Sequence, residues 1–210
     1  HPVLGGGVAP QMDVILVTDA NDVFLTLQCS RPYQGADESL TNYLEALRAV
    51  WGLSGRAGIG AGAFGTALAI VLADAGFQVD LWARSEDVRE SINNQRENSI
   101  YLPGVHVPTA ITATGDLERA VKNKCMVLGV TPSHAIRKVF SEARDYIHSD
   151  TLVVCGSKGI EEGSLATVDQ MLAESLPDLP RAHIMVLSGP SFAAELARKL
   201  PTALTVAGSD

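Results

Sequence analysis

From residue 77 onward, short β-rich runs alternate with helical patterns, and this alternation limits the possible folds more than any other feature of the chain. "FQVDLWA" (77–83) sets Val79, Leu81 and Ala83 on one face of a strand. "SEDVRESINNQ" follows as a helix, with Ser85 at its N-cap and Glu86 and Asp87 in its first turn. "CMVLGV" (125–130) is a continuous apolar run, the pattern of a strand covered on both faces. Behind it Ile136, Val139, Phe140, Ala143 and Ile147 mark one helical stripe. "TLVVC" (151–155) is the next strand, followed by a helix carrying Leu165, Val168, Met171 and Leu172. "HIMVLS" (183–188) leads into a helix opened by Pro190 and closed by Arg198 and Lys199, and "TALTVAG" (202–208) reads as a last strand. Strands separated by helices require right-handed crossovers. The expected fold is therefore α/β, a Rossmann-like, doubly wound, mainly parallel sheet.

The first βαβ unit of such a sheet contains "GAGAFG" (60–65), which has the spacing G-x-G-x-x-G. In this pattern Gly60 serves a tight turn, Gly62 lets a pyrophosphate approach the backbone, and Gly65 lets helix and strand pack closely. The helix that follows, "AFGTALAIVLADAG", presents free N–H groups and a positive dipole end to phosphates, and Gly76 closes it. The lead "SGRAGI" (54–59) reads poorly as a strand, because glycine weakens a strand interior and a buried central strand rarely carries arginine. A glycine-rich loop that binds no nucleotide therefore stays open as an alternative.

The second strand ends in "LWARS", which puts Arg84 and Ser85 where an acid would contact a ribose 2′-hydroxyl. An arginine there accommodates a 2′-phosphate and favours NADP(H) over NAD(H); a solvated strand-end arginine is the plainer alternative. Asp80 has nearly the right count for the acid but lies mid-strand, away from the carboxyl end where ligands bind.

Residues 1–55 form an atypical segment, and 56–210 the expected domain. In the former, "DVILV" and "VFLTLQ" read as strands around the turn "TDAND", and "ESLTNYLEALRAVW" as an amphipathic helix. The chain begins with His rather than Met and is expected to be a fragment or a processed form.

The formal charge of −8 argues against a phosphate-backbone binder, so no nucleic-acid partner is expected. Cys29, Cys125 and Cys155 have neither disulfide nor zinc spacing, which suggests reduced thiols, a cytoplasmic location and no metal. Ala57 to Ala73 is uncharged but glycine-rich at its start and ends at Asp74, so a buried loop and helix explain it better than a membrane span.

Three further stretches follow strand ends, the side on which open α/β sheets bind ligands: "TPSHAIR", "GSKGIEEG" and "SGPSFAAE". His134 invites an acid/base role, but in the first turn of a helix it reads more simply as a partly exposed polar residue. The ordered set "GAGAFGTALA", "LWAR", "INNQRENSIYLPG", "TPSHAIR", "GSKGIEEG" and "SGPSFAAELARKLPTA" closely resembles the bacterial-type NAD(P)-dependent glycerol-3-phosphate dehydrogenases, from about Gly60 to the end.

The resemblance implies reversible reduction of dihydroxyacetone phosphate to sn-glycerol 3-phosphate for phospholipid synthesis, with NADP(H) as cofactor and NAD(H) as a second one. By position it implies that Gly60, Gly62, Ala63, Phe64, Gly65, Arg84, Tyr101 and Ala193 contact the cofactor. Lys158 would stand near nicotinamide and substrate, with Gly189 and Ser191 on the substrate side. It also implies a helical C-terminal domain bearing the proton-transferring lysine, expected beyond Asp210, and a homodimer if a full-length enzyme exists. The 210 residues are accordingly expected to be an incomplete catalyst. Another two-domain NADP-dependent dehydrogenase and a non-catalytic NADP-binding module remain the alternatives.

Overall fold

The structure, a computed structural model, describes residues 12–18, 23–29, 56–200 and 202–208. The two N-terminal runs form β1 (Met12–Thr18) and β2 (Val23–Cys29), an antiparallel pair. The turn expected between them and the helix expected over 38–51 lie outside the described residues.

The lead to the glycine loop corrects the sequence reading. Arg56–Gly60 is strand β3, followed by helix α1 (Ala63–Asp74) and strand β4 (Gln78–Trp82). Helix α2 (Glu86–Glu90) runs on through a π turn, Ser91–Gln95, into a small hairpin of β5 (Glu97–Asn98) and β6 (Leu102–His106). After it come β7 (Ile111–Thr114), α3 (Leu117–Val121), β8 (Met126–Gly129) and α4 (Ser133–Ala143). The chain continues through β9 (Leu152–Cys155), α5 (Val168–Ser175), β10 (Ile184–Ser188), α6 (Ala193–Ala197) and β11 (Ala203–Gly208).

Six strands run parallel in the spatial order β7-β4-β3-β8-β9-β10. Within this parallel part the chain starts at the centre with β3, winds outward to β7, returns beside β3 as β8 and winds the other way. This is the doubly wound dinucleotide topology, with its switch point between β3 and β8. Strand β11 then runs antiparallel to β10, and β1 and β2 extend the sheet beyond it, so "DVILV" lies at the far side of the sheet from β3. Strand β3 survives its glycines because its ladder is made of backbone groups, which are engaged on both sides by β4 and β8.

The strands divide their side chains between two cores. Met126 and Leu128 of β8, with Leu152 and Val154 of β9, join the core beneath α1. Val127, Val153 and Cys155, their neighbours along the same strands, join Ile136, Phe140, Met171 and Leu172 on the opposite face. That alternation at period 2 is what a sheet covered on both faces requires. Helix α1 is buried over Gly65 to Leu72 and is closed off after its cap Ala75 by Gly76, whose φ of +85° suits the residue after a helix.

Two helix readings need correction. Leu165 does not belong to the stripe of α5; it precedes the helix with φ +58° and is 69% exposed. Pro190 does not open α6, which starts at Ala193 after an extended Phe192. Among the described residues, no helix is long and apolar enough to cross a membrane.

Asp80, in mid-β4, is buried, and its charge is met inside the protein. Lys124 Nζ stands 2.7 Å from Oδ2 and Arg119 Nε 3.3 Å from Oδ1. Lys124 is itself almost wholly buried, so each charge is the other's replacement for water. Both Asp80 oxygens are engaged, as befits a structural carboxylate and not a ribose ligand. Replacing it by alanine should cost about 3–5 kcal/mol, because an ammonium is left buried without a partner. Chemical denaturation of Asp80→Ala, alone and combined with Lys124→Met, measures this. A single variant as stable as the wild type would refute the assignment, and the double variant should recover part of the loss.

Candidate dinucleotide site

Over the carboxyl ends of β3 and β4 lies a cleft of about 370 Å³. Its floor is Gly60, Ala61 and Gly62, one wall is Trp82 to Ser85 with Val88, and the facing wall is Val130 to Pro132 with Ala135 and Val139. Tyr101 reaches it from the hairpin. Of the residues singled out in the sequence, Gly60, Gly62, Arg84 and Tyr101 therefore meet in one place.

The three glycines differ in what they must be. A Cβ on Gly65 would stand 1.7 Å from the Gly60 carbonyl oxygen and 2.7 Å from Val130 Cγ2, so only glycine lets α1 begin this close to β3. A Cβ on Gly62 would meet nothing within 4 Å, leaving open space where a pyrophosphate would approach. Gly60 is a correction: its φ is not positive, and a Cβ there would make ordinary contacts, the nearest 3.6 Å from Thr131 Cγ2. The tight-turn requirement assigned to it is absent.

Arg84 is exposed at the end of β4. The turn it occupies is fixed from below by Arg89 of α2, whose Nη1 donates to the carbonyl oxygens of Ala83 (2.9 Å) and Arg84 (2.8 Å). Ser85 takes the N-cap position, but its side chain caps nothing and it lines the cleft instead.

Tyr101 is held by a buried amide that sequence reasoning missed. Asn98 accepts from the Tyr101 N–H at 3.1 Å, while its Nδ2 donates to the Ala61 carbonyl oxygen at 3.2 Å and to Thr66 Oγ1 at 2.8 Å. Thr66 Oγ1 in turn donates to the Gly62 carbonyl oxygen at 2.8 Å. The glycine loop and the hairpin above it thus share one hydrogen-bond network. A polar residue directly after "INNQRE" (92–97) carries no local signal for this, because its partners in the glycine loop and α1 lie more than thirty residues away in sequence.

The other strand-end loops adjoin the cleft without lining it. Ser157, buried after β9, donates to the Thr131 carbonyl oxygen, and the Gly156 N–H bonds the Gly129 carbonyl oxygen at 2.8 Å. These bonds fix the exposed Lys158 beside the end of β8. Farther along the loop, Arg137 of α4 grips Glu161 through two bonds of 2.8 Å and reaches Glu174 of α5 at 2.8 Å. The guanidinium, with Ser164 donating as well, pulls the Glu161 carboxyl down to about 2. Phe64, at the start of α1, sits beneath this loop, its Cε1 3.3 Å from where a Gly156 Cβ would stand. Ala63 begins α1 half-buried, and Ala193 packs against the core at the start of α6.

Gly189 has φ +148°, and Ser191 bonds back to its carbonyl oxygen at 3.0 Å. The hydroxyls of Thr131 and Ser191 are buried with no hydrogen-bond partner among the described residues. His134 is exposed and lies outside the cleft.

The description "NAD-dependent glycerol-3-phosphate dehydrogenase N-terminus" belongs to the family model that matches residues 57–210. The chain belongs to this family. It is 44% identical over 152 residues to a protein of Syntrophobacter fumaroxidans and 46% identical over 149 residues to one of Myxococcus xanthus, both named glycerol-3-phosphate dehydrogenase (NAD(P)+). These alignments cover 72% and 71% of this chain but only 45% and 44% of the relatives, so the chain spans less than half the length of the curated proteins it matches. The crystal structure of glycerol-3-phosphate dehydrogenase from Coxiella burnetii superposes with a TM-score of 0.63 at 34% identity, over 69% of this chain and 43% of that one.

For a member of this dehydrogenase family, the open space at Gly62 and the unpartnered Thr131 hydroxyl in the cleft wall make the cleft a good fit to a dinucleotide. Gly65→Ala should destabilise the fold by about 1–3 kcal/mol or more and remove nucleotide binding, since α1 cannot start without moving. Thermal melts and a nucleotide titration check both; a variant with normal melting and binding would contradict the steric argument. Glu161 makes a pH prediction. Its carboxyl is depressed below its unfolded value near 4.3, so its stabilising effect is whole above that pH and disappears as pH falls through about 2. Wild type and Glu161→Gln should therefore differ in denaturation midpoint at neutral pH and converge near pH 2, whereas a gap that ignores pH would contradict the pairing.

Proposed function

We propose that this chain is the cofactor-binding part of an NADP(H)-dependent glycerol-3-phosphate dehydrogenase that interconverts dihydroxyacetone phosphate and sn-glycerol 3-phosphate. Residues 56–210 form the cofactor-binding unit on this reading, and 1–55 are an addition to it. The observation that carries the reading is a cationic strand end, Arg84, in the same cleft as a glycine loop with room for a pyrophosphate. The first turn of α1, from Ala63 and Phe64 onward, directs backbone N–H groups at the pyrophosphate, and Arg84 meets the 2′-phosphate. Tyr101 covers the cofactor from the hairpin.

Bound there, the nicotinamide ring supplies or receives the hydride. Lys158 holds its ammonium near the ring and stabilises negative charge on the substrate carbonyl oxygen. Gly189 and Ser191 offer a backbone free of side chain and a hydroxyl to the substrate, and Ala193 borders the cofactor. A cytoplasmic location goes with this reading, on the spacing of the three cysteines in the sequence.

A fluorescence titration with NADPH and NADH, on the wild type and on Arg84→Asp, tests the cofactor half of this proposal. NADPH should bind saturably and weaken by about ten- to a hundredfold on substitution, the size of a lost charge-assisted contact, while NADH changes little or improves. Equal loss for both nucleotides would remove the 2′-phosphate role from Arg84, and no saturation with either would reject the site.

A further inference from the structure

Thr131 stands at the switch point, between the carboxyl ends of β3 and β8, and forms part of the wall of the cleft. Its methyl group faces the glycine loop, with Cγ2 3.6 Å from where a Gly60 Cβ would be. Its carbonyl oxygen is employed, since it accepts from Ser157. Its hydroxyl has no such employment: Oγ1 is buried without a partner among the described residues. A buried hydroxyl with no hydrogen bond is a cost to the folded state, and native structures keep few of them. Valine has the same shape and would remove that cost, so packing gives no reason for threonine at this position. A ligand does. Threonine has three staggered positions about its Cα–Cβ bond, and an oxygen acceptor bound in the adjoining cleft would favour the one in which the hydroxyl meets it.

We propose that Thr131 is a cofactor-binding residue whose hydroxyl hydrogen-bonds an oxygen of the ribose–diphosphate segment of the dinucleotide. The assignment to that segment follows from the position of Thr131 in the wall of the cleft, across from Trp82 and beside Gly60 of the glycine loop, where the pyrophosphate is expected. It rests on the dinucleotide reading given above. The group is poorly satisfied in the free protein and satisfied on binding, so it adds affinity at the expense of stability. A residue that served the fold alone would show the two effects with the same sign.

The test compares Thr131→Val and Thr131→Ser with the wild-type chain, by thermal melting without ligand and by fluorescence titration with NADPH. Thr131→Val should melt at the wild-type temperature or about 2–4 °C higher, the size expected for relief of one unsatisfied hydroxyl in a domain of this length. It should bind NADPH about five- to tenfold more weakly. Thr131→Ser keeps the hydroxyl and should bind within about twofold of wild type, even if the lost methyl lowers its melting temperature. Unchanged NADPH affinity in Thr131→Val would overturn the proposal while leaving the dinucleotide reading intact. Weakened binding together with lower melting in Thr131→Val, not restored by Thr131→Ser, would make Thr131 a structural residue and overturn it as well. If the wild-type chain itself fails to bind NADPH, the dinucleotide reading fails first and the proposal with it.

Discussion

The carbonyl oxygen of Gly60 and the α-carbon of Gly65 approach so closely that no side chain fits between them. Much of the functional architecture depends on that contact. It brings the first turn of α1 against the end of β3, so that the free N–H groups of the helix open onto the switch point. It also brings Val130 of the next crossover against the same spot, which closes the far wall of the cleft. The cleft is therefore a product of close backbone packing, and its shape is set before any polar side chain is considered.

Charges are sorted by position in the sheet. The buried pair of Asp80 and Lys124 lies within the body of the sheet and at the amino end of β8, where it serves the fold. The cations at the carboxyl ends, Arg84 and Lys158, are exposed. Between these extremes lie polar groups that tie one loop to another: Arg89 under the Arg84 turn, Ser157 on the Thr131 carbonyl, and Arg137 across Glu161 and Glu174. Each binds one strand-end segment to its neighbour. Together they give the ligand-facing loops a definite geometry despite their position outside the two cores.

How much of this was legible in the sequence depended on whether the signal was local. The apolar runs of β8 and β9 announced buried strands because both faces of the sheet need apolar side chains. The spacing of Gly60, Gly62 and Gly65 announced the loop, although the strict requirement belongs to Gly65 alone. Strand β3 was misjudged because propensity speaks for side chains, whereas a central strand is held by its ladders on both sides. Leu165 was misjudged for a different reason: periodicity counts apolar residues and cannot see a left-handed φ. Asn98 and Thr131 were invisible, because an amide and a hydroxyl gain meaning only from partners, or from a lack of partners, that the tertiary structure decides.

The buried Asn98 amide also limits how modular the site is. The hairpin bearing Tyr101 looks like a detachable module, short and looped out of the main sheet. Yet its amide completes the bonding of Ala61 in the glycine loop and of Thr66 in the first turn of α1. An engineer who swapped the hairpin to retune cofactor choice, and left this asparagine behind, would strip partners from the loop that receives the pyrophosphate. Here the unit of exchange is the hairpin together with the loop, inherited or redesigned as one piece.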